Sequence, residues 1–485
     1  MPRPKKLRAT RRFSFAHDTG VLLPRTGAAT ALFLGILFIA TLAGATVIPV
    51  GPTRTYTTPS QAAAVSADGD IIEIDAGIYL NDATVWRRNN LTLRGVGGRA
   101  HLKMTQQIDY IPSNDQANGK GIWVTQGSNM TIENIEFSGA SVADQNGAGI
   151  RHEGNNLTIR NCYFHNNENG FLGEGGALVI EKSEFAYNGF GDGYTHNLYV
   201  GNTASLTFRG NYSHHAIIGH TLKSRALENY ILYNRITDET GTASYEIDLP
   251  NGGRSVIMGN LIQQSATTDN SAIISYGAEG LSNTLKDLYV VNNTVVNNRS
   301  AGGIFVSTAT GTTASIQNNL FVGSGTQLSG PGTLTSNLAS ANPGLVNPAA
   351  YDYRLLSASP ARDAGTNAGV TSFGFALTPS LQYLHPINSE TRPQSGALDI
   401  GAYEYAAPIA VTLSASPATV NSGSGAMLVW NSTGSSCAAN GAWSGAKASS
   451  GSQVLTNLIA TGVYTLTCND AGGSASQSAT ITVTQ

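Results

Sequence analysis

Charge is scarce in this chain. Only 12% of its 485 residues are Asp, Glu, Lys or Arg, whereas Gly alone supplies 55. That balance, with abundant Asn, Ser and Thr, fits an extracellular all-β protein rich in turns and fits a helical cytosolic enzyme poorly. Cysteine is scarcer still, at three. Cys437 and Cys468 lie near the C-terminus and are expected to pair in an oxidising compartment. Cys162 stands alone at an apolar repeat position, where a buried thiol is expected rather than a nucleophile. Basic residues are also few once the start of the chain is set aside. Residues 1–45 hold seven Lys or Arg and one Asp, so the remainder carries 28 − 7 = 21 basic against 31 − 1 = 30 acidic groups, a net charge of −9. An acidic remainder argues against nucleic acid as a partner. It also means that an anionic substrate needs a local basic patch to offset long-range repulsion.

The basic start (Arg3, Lys5, Lys6, Arg8, Arg11, Arg12, Arg25) is followed by an apolar run over 27–50 that ends in the small residues Ala43-Gly44-Ala45. This pattern predicts a signal peptide cleaved after Ala45. The alternative is an uncleaved anchor attaching the protein to a membrane or cell surface. Either way the chain is expected to be exported, to the exterior, the surface or the periplasm, as a monomer.

What is abundant is repetition. A hexamer opening on an apolar residue, with Asn, Gly or Lys at its third place, recurs as IENIEF (132–137), IRNCYF (159–164), IEKSEF (180–185), FRGNYS (208–213), LYNRIT (232–237), IMGNLI (257–262), VVNNTV (290–295) and IQNNLF (316–321), with LRGVGG (93–98) as a degenerate copy. A motif recurring every 20–30 residues with variable filler marks a solenoid. Its apolar residues alternate with period two, so each unit is β. Each coil buries its inward residues only against its neighbours, and Asn at the bend suits a left-handed backbone and bonding along the stack. No Leu-x-x-Leu-x-Leu frame persists, which removes a leucine-rich repeat. The fold expected is all-β: a right-handed parallel β-helix over 46–341, closed by a cap over 342–405, a linker at 406–410, and an immunoglobulin-like β-sandwich over 411–485.

Several stretches carry family resemblances. The helix-like piece 60–67 and the strand Ile71 to Ile74 resemble the opening of pectin-lyase-like β-helix proteins, whose first coil is capped by a short helix. ASPARDAG (358–365) and RPQSGALDIGAYEY (392–405) resemble the closing segment of many secreted bacterial β-helix proteins. Trp430, Cys437, Trp443 and YTLTC (464–468) resemble bacterial immunoglobulin-like modules with one Cys–Cys bridge.

Aligning coils on the hexamers also aligns the strand ahead of each one. Ile150, Phe171, Leu198, Leu222 and Ile247 then point inward, and Arg151, Leu172, Tyr199, Lys223 and Asp248 point outward. Two residues away, the same face is expected to carry Asn197, Thr221 and Glu246 on one side and Glu153, Glu174 and Arg225 on the other. Such a surface suits an extended acidic polysaccharide. Lys223, Arg225, Tyr199, Asp248 and Glu246 are the candidate catalytic groups: Arg225 or Arg151 to neutralise the carboxylate of an acidic sugar, Tyr199 as proton donor, and Glu246 with Asp248 as an acid/base pair for glycoside hydrolysis. Arg151, His196, Asn197, His220 and Arg254 are assigned to substrate binding. The histidines 196, 214, 215 and 220 and Asp192 lack tight ligand spacing, so no metal ligand is assigned.

LKSRALENYILYNRI (222–236) resembles the Lys-Ser segment of chondroitinase B-like alginate lyases, calcium-dependent β-helix enzymes. The resemblance implies that Lys223 removes the proton from C5 of a uronic acid and that calcium is held by carboxylates just ahead of the lysine. Here those residues are His-His-Ala-Ile-Ile-Gly-His, and Asp248 stands where the family places an arginine. The function expected is cleavage of a uronic-acid polysaccharide by β-elimination. The alternatives are a glycoside hydrolase or C5-epimerase on the same scaffold, and a non-catalytic polysaccharide-binding or adhesion protein.

Overall fold

The computed structural model describes residues 45–108, 119–268, 270–394, 396–470 and 473–485. The expected signal segment lies almost wholly outside them. From Val47 the chain winds as a parallel β-helix. Its first strand, Val47–Val50, pairs in parallel with Ile71–Leu80, and a short helix, Pro59–Val65, lies between them where the opening coil needs cover.

Each later coil contributes a strand to one sheet, then two more strands separated by the hexamer bend. Among the described residues the first of these sheets has ten parallel strands, running from Thr84–Trp86 to Thr326–Ser329. The bend needs two different residues. Its third position takes a positive φ, supplied by Asn134, Asn161, Asn292 and Asn318 and by Gly210 and Gly259. Its fourth position faces inward, and there an asparagine row runs through 211, 234, 260, 293, 319 and 337. Each Oδ1 accepts the backbone N–H of the fourth residue one rung earlier, Ser183 for Asn211 and an asparagine for the rest, as Asn260 does from Asn234 at 2.9 Å. Each Nδ2 donates to a carbonyl of that earlier rung, as Asn260 does to Ile231 at 2.8 Å. The buried bend N–H groups of Asn211, Asn234, Asn260, Asn293 and Asn319 thereby find partners, a condition for ordering so tight a bend.

One hexamer moves by a residue. Ile231, not Leu232, pairs with Phe208 and Ile257, so the frame is ILYNRI with Tyr233 at the positive-φ place. Two neighbouring apolar residues make both frames plausible by sequence. The axial core is a column of aromatic rings, Trp123, Phe137, Phe164, Phe185 and Phe208, with centroids 4.7–6.0 Å apart, flanked by fully buried Ile and Leu. Cys162 lies in this interior, where burial pushes its thiol up to about 12, an inert state.

The segment expected to cap the solenoid's end instead packs along its flank. Leu232, Tyr233, Val256, Met258 and Val291 meet Phe373, Phe375 and Leu377, while Leu261, Val296 and Leu320 meet Tyr353, Tyr383 and Ile400. These outward apolar residues require cover, and Leu334 on a late rung stays half exposed. The RPQSGALDIGAYEY stretch is a structural clasp: Arg392 bonds Glu404 at 3.0 Å and three carbonyls, all buried.

Residues 411–484 form a three-stranded antiparallel sheet and a five-stranded sheet around Leu428, Trp430, Trp443 and Leu466. Cys437 and Cys468 are joined, and they face each other on neighbouring strands of the five-stranded sheet. The bridge thus lies within one sheet instead of spanning the sandwich as an immunoglobulin-like core would have it.

Candidate active site

The ten-stranded sheet carries the site because its strands are short and its inward residues regular. Phe171 pairs with Leu198, and Leu222 with Ile247; the outward neighbours follow as Leu172–Tyr199, Tyr199–Lys223 and Lys223–Asp248. Tyr199, Lys223 and Asp248 therefore stand on three successive rungs of one wall. Arg151 stands two rungs earlier, pairing with Leu172. Arg151, Glu153, Leu172, Glu174 and Tyr199 line a groove of about 430 Å³ beside them.

Lys223 Nζ lies 3.6 Å from Asp248 Oδ2, 3.0 Å from Glu279 Oε1 and 5.5 Å from the centre of the Tyr199 ring. Arg225 donates from Nε to the Tyr199 hydroxyl at 2.9 Å, from Nη2 to Glu279 Oε2 at 2.6 Å and from Nη1 to Asn251 Oδ1. Glu279 is thus gripped by one oxygen at Lys223 and by the other at Arg225. Burial would raise its carboxyl, but the bonds from Arg225 and Lys223 hold it below the usual range. Burial likewise works against the Arg225 charge, and the bonds to Tyr199 and Glu279 raise it above its ordinary value. Asp248 goes the other way: burial pushes it up to about 6 against the pull of Lys223.

The upstream half of the expected face turns inward. Asn197 is fully buried, accepting from Asn188 Nδ2 at 2.9 Å and donating to the His214 carbonyl at 2.8 Å. Glu246 is fully buried, accepts from Thr221 Oγ1 at 3.0 Å, and is held well above its ordinary range by burial and by Asp238. Neither residue reaches a substrate, because the chain bends just ahead of the three-residue strands and alternation ends there. Glu246, expected among the catalytic groups, is therefore no acid/base partner for Asp248 in glycoside hydrolysis.

His196 and His220 are also covered and serve as packing beneath the wall rather than as ligand contacts. Their rings stack at 4.6 Å, and Gly219 permits the approach, since a Cβ there would lie 1.8 Å from the Thr195 carbonyl oxygen. His196 Nδ1 accepts the His220 N–H, and His220 Nδ1 accepts the Tyr245 N–H, so both neutral rings carry their proton on Nε2. Burial and the Lys223 charge push His220 down to about 3. Arg254 sits on a different wall, paired with Glu228 at 3.2 Å and stacked on Phe373. It belongs to the flank.

Glu279 and Asn251 escape sequence reading. Glu279 lies in the longest interval between the eight full hexamers, 257 to 290, and that extra length was the available signal of an inserted loop folding back. The calcium implied by resemblance does not fit: calcium needs six to eight oxygen ligands, whereas here Glu279 is bonded to two cations, Asp248 adjoins Lys223, and Glu246 faces the interior.

A family model described as "Right handed beta helix region" matches residues 76–221. Among solved structures, pectate lyase Pel9A aligns at 14% identity with a TM-score of 0.51, over 75% of this chain and 97% of that one. The fold is that of the right-handed parallel β-helices. Weaker alignments are a pectin methylesterase, PemA of Erwinia chrysanthemi (11% identity, TM-score 0.31, 65% and 94% covered), and the PL6 family alginate lyase AlyGC (12%, 0.26, 75% and 60%); at those scores they carry no argument. No curated protein matches the sequence.

Proposed function

We propose that the wall around Lys223 binds a uronic-acid polysaccharide and cleaves it by β-elimination. The supporting observation is the two-point grip on Glu279: Lys223 and Arg225 each hold one oxygen of a single carboxylate. A uronate carboxylate has the same shape and charge and takes that place when the Glu279 loop yields. Arg225 then neutralises the carboxylate and stabilises charge developing beside it. Lys223, relieved of Glu279 and acting as the neutral amine, takes the proton from the adjacent carbon and becomes an ammonium ion beside Asp248. Tyr199 gives a proton to the departing glycosidic oxygen. One C–H and one C–O bond break and a C=C bond forms. The groove lined by Arg151 and Tyr199 accommodates neighbouring sugars.

A second reading rests on the opposed shifts of Asp248, raised, and Glu279, lowered. Carboxyls driven apart in this way suit acid and base roles in glycoside hydrolysis. The test is to incubate the purified protein with alginate, pectate and other polyuronates while following ultraviolet absorbance of the unsaturated uronate and release of reducing ends. The lyase reading predicts both signals, and their loss in Lys223→Ala. Reducing ends without the absorbance would establish hydrolysis. Binding with neither signal, unchanged in Lys223→Ala, would leave a binding protein.

The remaining assignments belong to this reading. Residues 1–45 act as the export signal, either cleaved after Ala45 or retained as an anchor. Residues 411–485 are a two-sheet accessory module, similar to immunoglobulin-like modules in its tryptophans though not in the placing of its bridge, joined to the solenoid and its 342–405 segment by 406–410. The Cys437–Cys468 bridge supports an oxidising compartment.

A further inference from the structure

Away from the Lys223 wall, the outer face of the early coils gathers two histidines and a glutamate that sequence spacing does not connect. His101 lies on strand Thr92–Lys103, Glu136 on Ile135–Ser138 and His165 on Tyr163–His165, three successive rungs. His101 pairs with Glu136, and His165 with Ser138. Glu136 Oε1 is 3.3 Å from His101 Nδ1 and 3.0 Å from His165 Nε2. One donor atom from each residue lies within 4.8 Å of the other two.

We propose that His101, Glu136 and His165 bind a zinc-type divalent ion that staples three rungs of the solenoid. Metal bonds of about 2.0–2.1 Å at tetrahedral angles place ligand atoms about 3.3–3.4 Å apart, close to the spacings of Glu136 from each histidine, 3.3 and 3.0 Å. The remote nitrogens are already engaged: His101 Nε2 with Ser138 Oγ and His165 Nδ1 with Asn166 Oδ1, each at 2.7 Å. The Asn166 amide oxygen makes His165 Nδ1 a donor, and the Ser138 hydroxyl can accept from His101 Nε2; in that tautomer both rings turn a lone pair toward Glu136, and a cation between them joins all three. Two imidazoles and one carboxylate suit zinc and its neighbours; they do not suit calcium or magnesium. The three side chains are 18–23% exposed, so a fourth position is open to water. An ion bound only by the folded chain stabilises it by mass action, and this one joins coils whose ligands are 35 and 29 residues apart.

The test uses the protein purified without a polyhistidine tag, stripped by chelator and titrated with zinc chloride against a chromogenic chelator. One equivalent binds, the unfolding temperature rises with zinc and not with calcium, and cobalt(II) gives the intense visible bands of a tetrahedral site. His165→Ala loses the equivalent and the temperature shift. Glu136→Gln serves as a second variant with the least change in shape, and Ser138→Ala weakens binding about tenfold by freeing the His101 ring. Wild-type protein that takes up no zinc overturns the proposal. So does retention of the full equivalent at unchanged affinity in both His165→Ala and Glu136→Gln, which would place the ion elsewhere.

Discussion

Two rows of polar side chains run along this solenoid, and they are satisfied to different degrees. In the asparagine row from Asn211 to Asn337 every amide accepts and donates along the stack. On the Lys223 wall the groups are pulled against their ordinary states. Asp248 is raised and Glu279 lowered, and just beneath them two histidines are held neutral. The first row resembles the hydrogen bonding of a strand and reads as structure. The second holds charge under tension beside a groove that Tyr199 also lines, the arrangement expected where chemistry occurs.

That contrast can be broken from either side. The largest effect belongs to Lys223→Ala: turnover of the polyuronate falls roughly a thousandfold, the size of a lost general base. Its unfolding midpoint barely moves, because the freed Asp248 carboxyl can take a proton. Asn260→Ala does the reverse. It strands the Asn234 N–H in the interior and costs about 2–3 kcal/mol in denaturant unfolding, with turnover per folded molecule unchanged. Asp248→Asn sharpens the comparison through pH. The folded carboxyl keeps its proton to about pH 6 against an ordinary 3.8, so its stabilising contribution is full below 3.8 and lost as pH rises through 6. The variant flattens the stability profile across that window. Smallest is Glu279→Gln, which removes a competing carboxylate and lowers KM by roughly three- to tenfold.

The rung order of Tyr199, Lys223 and Asp248 was legible because hexamer spacing and period-two alternation agree wherever the strand is regular. It failed at Asn197 and Glu246, where the backbone bends and parity no longer tells inside from outside. It slipped by one at Leu232, since Ile231 and Leu232 are equally apolar. Glu279 lay beyond reach because nothing in a loop's sequence states where it folds back. His101, Glu136 and His165 were invisible for the opposite reason: each lies on a regular strand, and only stacking brings them together. The flank packing of 342–405 was hidden likewise, since outward apolar residues reveal that a cover exists and not which segment supplies it.

The central claim is that the wall is built to hold a substrate carboxylate where Glu279 now sits. A crystal structure of Lys223→Ala soaked with a uronate oligosaccharide tests it most directly. The account predicts a sugar carboxylate bonded to Arg225 with the Glu279 loop turned outward. A sugar bound elsewhere, with Glu279 still bonded to Arg225, would contradict it.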